Sequence, residues 1–395
     1  MQVLALIVGA ICCLTVFLDA FQTIILPRRA TGRFRITRMF LVATWQPWRG
    51  VAEWSDSARR REYIYSIYGP LSLILLLLIL GFGLFYFAMG TPFTDVMGVQ
   101  TAAGLSRFRT ALYVSGTTMF TLGLGDVVPH SLGARTLIIC ESGVGLGFVA
   151  LVIGYLPVLY QAFSRREVSI ALLDARAGSP PTAAELLRRH GFEGGEEALI
   201  TLLEEWERWS ADILESHISY PILCYYRSQH DSQSWLAALT SILDTCSLLI
   251  SVLEGPASRQ AQLTFVMARH ALIDLGNVFH IQEQKAWIDQ AGRERLPERD
   301  FNRLCEVLGE VRLRLCGDSA AADRLHTIRG LYEVYAGSLS DYLRMPLPPW
   351  VPVAKEKDQW KLLSRLRSEA HADRPEVAAE KRQSAAAAFL RKDEH

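Results

Sequence analysis

The sequence predicts an all-α membrane protein: apolar helices first, then a water-soluble helical bundle. Three observations predict it. Half of the 395 residues are hydrophobic, and they concentrate before residue 165, with most of the charge after it. Three apolar segments are long enough to cross a bilayer, which takes about 20 residues. The segments beyond residue 165 carry apolar residues at three-to-four spacing, the period of amphipathic helices. The length allows two or three domains. The formal net charge is zero, which gives no general case for binding nucleic acid.

The first span covers residues 1–26 and is interrupted by Asp19. A secretory signal peptide would carry its basic residues before the apolar run, whereas here they follow it. The segment therefore reads as an uncleaved transmembrane helix. Asp19 is expected to pair with an arginine of the loop that follows.

Residues 27–66 form a basic linker holding Arg28, Arg29, Arg33, Arg35, Arg38, Arg49, Arg59, Arg60 and Arg61. The loop between the second and third spans has only Arg107 and Arg109. The bias of basic residues toward the cytoplasm orients the chain in the inner membrane. The N-terminus and the loop 90–133 are outside; the linker and everything after Phe163 are inside. Two readings of the linker stand open. Its mixture of Arg with Phe, Met, Leu and Trp fits an amphipathic segment with Trp45, Trp48 and Trp54 at the headgroups. It also fits a loop packed on the soluble domain.

The second span is an outer helix over 67–89. After it, "RFRTALYVSGTTMF" has helical character and predicts a short helix over 108–120. A helix that enters from outside and stops short is tolerated only when buried in protein or lining water. It leads into Thr121, Leu122, Gly123, Leu124, Gly125 and Asp126. Glycines at alternate positions admit backbone conformations closed to other residues. Carbonyls then point consecutively toward one axis, and Thr121 adds its hydroxyl below them. A stack of such oxygens replaces the hydration shell of a cation. Asp126 keeps the outer mouth negative.

The third span, an inner helix over 134–163, completes the unit. Helix, "TLGLGD", "VVP" and a glycine-bearing helix together resemble the pore module of the potassium channels, most of all the bacterial two-helix type. The resemblance covers roughly residues 65–165. It implies a helix–pore loop–helix fold in which Thr121, Leu122, Gly123, Leu124 and Gly125 bind potassium ions. It also implies a hinge at Gly145, while Pro157 is a second candidate because proline kinks a helix interior. One filter per chain implies a homotetramer in a lipid bilayer, with potassium as permeant ion and no cofactor. Thr118 matches a threonine common in such pore helices. The chain departs where the family's filter tyrosine becomes Leu124. Tyr113 and Val114 occupy the places of the pore-helix tryptophans, so an aromatic cuff is expected to be missing. A less selective cation pore and a non-conducting membrane scaffold are the competing readings.

Other residues carry weaker signals. Gly81 and Gly83 read as span packing, and Gly143 and Gly147 as a helix contact. Glu141 is an intramembrane acid, which faces the cavity, tethers the pore helix or is simply satisfied by hydrogen bonds. His130 at the outer mouth is a pH sensor or a spectator. The seven cysteines lack C-x-x-C spacing, so buried free thiols are expected rather than disulfides or zinc.

Residues 164–350 predict an all-α cytosolic domain, with breakers at Gly178–Pro181, Gly194–Gly195, Pro221 and Gly255–Pro256. No G-x-G-x-x-G or alternating strand–helix order is present, so no nucleotide-binding fold is expected. The stretch 219–235 reads as a pocket with Arg227, His230 and Asp231, or as a packed helix junction. The acids Glu193, Glu196, Glu197, Glu204 and Glu205 read as a divalent-ion site or a solvated face. An unknown ligand or protein is expected to act on this domain. Residues 351–395 are a charged, Ala-rich tail. No nucleophile–base set indicates an enzyme.

Overall fold

A computed structural model describes residues 1–20, 39, 43–45, 62–90, 92–95, 105–228, 233–279, 294–311 and 319–352. The described chain is mostly helical, with four helices long and apolar enough to cross a membrane. The tail, Trp48, Trp54, His230 and Asp231 lie outside the described residues.

α1 (Gln2–Ala20) lies against α2 (Glu62–Ala88). Glycine permits the approach. A Cβ on Gly9 would sit 2.9 Å from the Gly81 carbonyl oxygen, and one on Gly81 would sit 2.5 Å from Cys13 Sγ. Close backbone approach at small residues is how apolar helices associate where water gives no drive. α1 leaves Leu4, Ile7, Ile11, Leu14 and Leu18 exposed on its outer side, while Asp19 is buried.

β1 (Phe93–Asp95) follows, then α3 (Leu105–Met119), then β2 (Val127–Pro129). The strands pair antiparallel, Phe93 opposite Pro129 and Asp95 opposite Val127. α3 packs between its neighbours through a cluster that includes Phe82, Tyr86, Val114, Met119 and Ala134. Gly83 admits α3, since a Cβ there would meet Leu112 Cδ2 at 2.8 Å.

α4 (Leu132–Ala177) is 46 residues long. At 1.5 Å per residue it spans about 70 Å, more than twice the hydrocarbon thickness of a bilayer. It runs through Pro157 and past Phe163, where the apolar stretch ends. Nothing in "SRREVSIALLDARA" breaks a helix before Gly178, which ends it with φ 85° and an N–H donated to Asp174 O. Hydropathy marks where an apolar run stops, not where the helical backbone does.

The C-terminal body comprises α5 (Ala183–His190), α6 (Gly195–Ser219), a 3-10 helix (Pro221–Tyr225), α7 (Trp235–Val252), α8 (Pro256–Val278), α9 (Glu298–Glu310), α10 (Ser319–Gly330) and α11 (Glu333–Leu343). One hydrophobic core unites them with the end of α4. α7 is its centre. It is apolar enough to span a membrane, yet 89% of its apolar window is buried inside the protein. A helix apolar all round belongs in a core. Its Thr240, Thr245, Ser247 and Ser251 hydroxyls each donate to the carbonyl four residues earlier, which satisfies them without external partners.

A buried ionic network pins this core. Arg295 donates to both carboxylate oxygens of Asp244, at 3.1 and 2.6 Å, and to Glu333 Oε1 at 3.0 Å. Tyr332 Oη donates to Asp244 Oδ1, and Arg329 reaches Glu333 Oε2 at 3.0 Å. Both guanidinium groups lie over the Trp350 ring.

For Trp45 one of two open readings is selected, and two expectations about cysteines are corrected. Trp45 is not at a membrane surface; it is buried in the core of the C-terminal body. Cys305 is disulfide-bonded. Disulfides need only spatial proximity, which sequence spacing does not report. Cys140 is free and exposed in the single chain rather than buried, because its face of α4 has no intrachain neighbour.

Candidate functional site

The site begins at the end of α3. Leu122 N–H donates to Thr117 O at 2.8 Å and Thr121 N–H to Thr118 O at 2.9 Å. These two bonds make a Schellman termination, which places Thr121 at the left-handed position that glycine usually fills. Thr121 adopts it, with φ 55°. A left-handed non-glycine residue costs on the order of 1–3 kcal/mol, and such strain clusters at functional sites.

The pattern then repeats. Gly123 has φ 56° and Gly125 has φ 75°, while Leu122 and Leu124 keep negative φ. Positive φ thus falls on every second residue from 121 to 125. Alternating handedness is the backbone arrangement that aligns neighbouring peptide dipoles on one side of the chain. At Gly123 and Gly125 the requirement for glycine is conformational, since a Cβ would meet nothing within 4 Å.

The stretch is anchored at both ends and bare between them. At the outer end Tyr113 Oη donates to Asp126 Oδ2 at 2.6 Å. Beyond it, β2 is held by β1, His130 N–H donates to Pro92 O at 3.1 Å, and Arg135 Nε donates to Pro129 O at 3.2 Å. The residues from Thr121 to Asp126 are all exposed in the single chain, with Leu122 and Leu124 near 60%. Phe120 beside them is 54% exposed. Past the Thr121 and Leu122 amides, this is a polar backbone exposed in the single chain and flanked by uncovered leucines.

α4 supports the site from behind. Gly145 lies directly under the end of α3: a Cβ there would fall 2.3 Å from the Met119 carbonyl oxygen. Four residues earlier, Glu141 is fully buried. One carboxylate oxygen accepts from Tyr86 Oη of α2 at 2.5 Å, the other from Ser115 Oγ of α3. Glu141 therefore tethers three helices, which decides between the readings the sequence left open. Gly143 and Gly147 meet nothing within 4 Å in the single chain. Pro157 is exposed on α4, about 18 Å further along the axis than Gly145.

The sequence missed the pairing of Tyr113 with Asp126. Tyr113 stands where an aromatic cuff was expected to be absent, and its hydroxyl supplies a fastening there. A phenol thirteen residues before an acid carries no signal until the loop is folded. Among the described residues no group of His, Cys, Asp and Glu is arranged to hold a metal ion.

This geometry sets a short helix and an exposed, glycine-bearing loop between two long apolar helices. Residues 74–161 match the family model described as "Ion channel". The match spans α2 from its middle, the loop, and α4 to its apolar end, and it supports an ion channel pore module in this part of the chain. No curated protein and no solved structure matches the chain.

Proposed function

We propose that the protein is a potassium-selective channel that conducts K+ passively across the inner membrane as a homotetramer. One observation carries the reading: φ alternates in sign from Thr121 to Gly125, on a loop that is anchored at both ends and uncovered between. Four such loops around one axis would present rings of carbonyl oxygens, with the Thr121 hydroxyls at the inner end. Those rings replace the ion's water. α3 ends at the loop, and its C-terminal dipole, equivalent to roughly half a negative charge, favours a cation beyond it. The uncovered Phe120, Leu122 and Leu124 then meet neighbouring subunits.

The topology follows. That Trp45 shares a core with residues after α4 supports a topology with the basic linker and the C-terminal body on one side of the membrane. The excess of arginine makes that side the cytoplasm. Gly145 and Pro157 are the positions where α4 bends or narrows to gate.

The test is the reversal potential of the purified protein in liposomes, potassium on one side and sodium on the other. A potential near the potassium Nernst value supports the reading. Clear current at a potential near zero replaces it with a non-selective cation pore. Absence of flux from a tetrameric preparation replaces it with a non-conducting scaffold.

A further inference from the structure

Among the described residues between α1 and α2, Trp45 is the one buried in the C-terminal body. Trp45 is 6% exposed and donates from Nε1 to Tyr342 O at 3.0 Å. Its ring lies 4.8 Å from that of Tyr225 and 6.4 Å from that of Tyr342. Phe279 closes the group, 5.6 Å from Tyr225 and 5.0 Å from Tyr342. Two tyrosine rings backed by Phe279, together with one carbonyl, thus form a socket for the indole.

Tyr225 belongs to the 3-10 helix, and other residues of that short element pack against α4. Ile222, Leu223 and Tyr226 cluster with Leu159 and Ala162. Arg166, buried on α4, donates to Leu223 O at 2.9 Å and to Tyr226 O at 2.7 Å. Tyr155 meets Tyr220, and Phe163 meets Tyr226, at ring distances of 5.7 and 5.8 Å. The segment from Pro221 to Tyr226 therefore contacts both Trp45 and the final apolar turns of α4. It starts at Pro221, whose ring fixes φ.

We propose that this aromatic socket is a regulatory docking site whose occupant is Trp45 of the same chain, and that the 3-10 helix relays its occupancy to α4. The site couples the connection between α1 and α2 to the helix that carries the candidate gate. A large indole in a desolvated pocket, anchored by its N–H, is the kind of contact that dominates docking energetics. The relay is a continuous path of physical contacts from the indole to α4. The effect on current rests on the channel reading; the effect on α4 does not.

The experiment compares the full chain with its Trp45→Ala and Trp45→Leu variants in nanodiscs by hydrogen exchange, and in liposomes by potassium flux. Emptying the socket is expected to speed amide exchange about tenfold in residues 221–226 and also in residues 155–166, as local opening becomes cheaper. Flux changes in parallel. Trp45→Leu retains apolar bulk and keeps the test valid should Trp45→Ala not fold; it loses the hydrogen bond and rings and shows the same pattern in smaller degree. Faster exchange confined to the linker and socket, with residues 155–166 unchanged, overturns the proposal. A wild-type protein without flux overturns the channel reading instead, and the exchange result still decides the relay.

Discussion

Tyr113 and Asp126 join the pore-loop helix to the outer end of the loop by a single hydrogen bond of 2.6 Å. The other contacts that hold the loop are backbone bonds at its two ends and the Arg135 Nε bond to Pro129 O. Among the described residues the phenol is the side chain that ties the acid to the helix. Tyr113→Phe keeps the ring and removes the bond. The expected result is a less selective, less durable conducting state: a reversal potential displaced from the potassium value and faster current decay under sustained flux. Unchanged selectivity and decay would show that the strands alone hold the mouth.

Gly145 and the other α4 glycines separate hinge from packing. A Cβ at Gly145 collides with the Met119 carbonyl, whereas Gly143 and Gly147 face open space in one chain. Gly145→Ala is expected to destabilise the assembled protein by about 1–3 kcal/mol, the usual range for overpacking. Thermal unfolding of the detergent-solubilised protein measures it. A variant with wild-type stability but altered open probability would make Gly145 a hinge alone.

Glu141 gives a second structural prediction. Glu141→Ala strands the Tyr86 hydroxyl in a buried site, while Ser115 keeps a bond to Ile79 O at 2.9 Å. An unsatisfied buried hydroxyl costs about 1–3 kcal/mol. A lower melting temperature is expected, and Tyr86→Phe in the same background should restore part of it. No recovery in the double variant would place the tether's role elsewhere than in polar satisfaction.

His217 sets an acid limit on the C-terminal body. Burial, reinforced by the neighbouring Arg166 guanidinium, holds its pKa well below the usual imidazole value. Arg166 Nη1 lies 3.2 Å from His217 Nε2, and arginine only donates, so Nε2 holds the lone pair and the proton sits on Nδ1. The unfolded chain takes up a proton near pH 6.5 and the folded chain does not. Stability from this group is therefore full above about pH 7 and falls below it, by about 1.4 kcal/mol per pH unit once the unfolded form is protonated. Denaturant midpoints at pH 7.5 and 5.5 measure the fall. His217→Gln should reduce it, and an equal fall in the variant would remove His217 as the cause.

The buried ionic network predicts an asymmetry. Arg295→Met leaves Asp244 and Glu333 with a missing partner, and breaking such a pair costs about 3–5 kcal/mol. Adding Asp244→Leu should recover stability rather than worsen it. Additive losses in a chemical denaturation series would refute the pairing as the source of the cost.

Much of this protein is legible in local sequence. Hydropathy over 20 residues marks the spans, and positive φ at alternate positions follows from Gly123 and Gly125, because only backbone sterics are involved. The helices of the C-terminal body follow from their period, and their breaks from Gly178, Gly194 and Pro221. The left-handed Thr121 was not legible, since a threonine there opposes the propensity that sequence reading relies on.

Tertiary structure alone decided which residues meet. Glu141 reaches Tyr86 across 55 positions, Arg166 reaches Tyr226 across 60, and Trp45 reaches Tyr342 across 297. None of these pairs leaves a local trace. An acid in a span, a tryptophan in a basic linker and an arginine after an apolar run each have several satisfactory environments, and only chain packing selects one. Sequence by itself determined the helices and the backbone freedom of the loop, because those depend on neighbours in the chain. The fold decided the tether, the mouth fastening and the socket, because a hydrogen bond depends on neighbours in space.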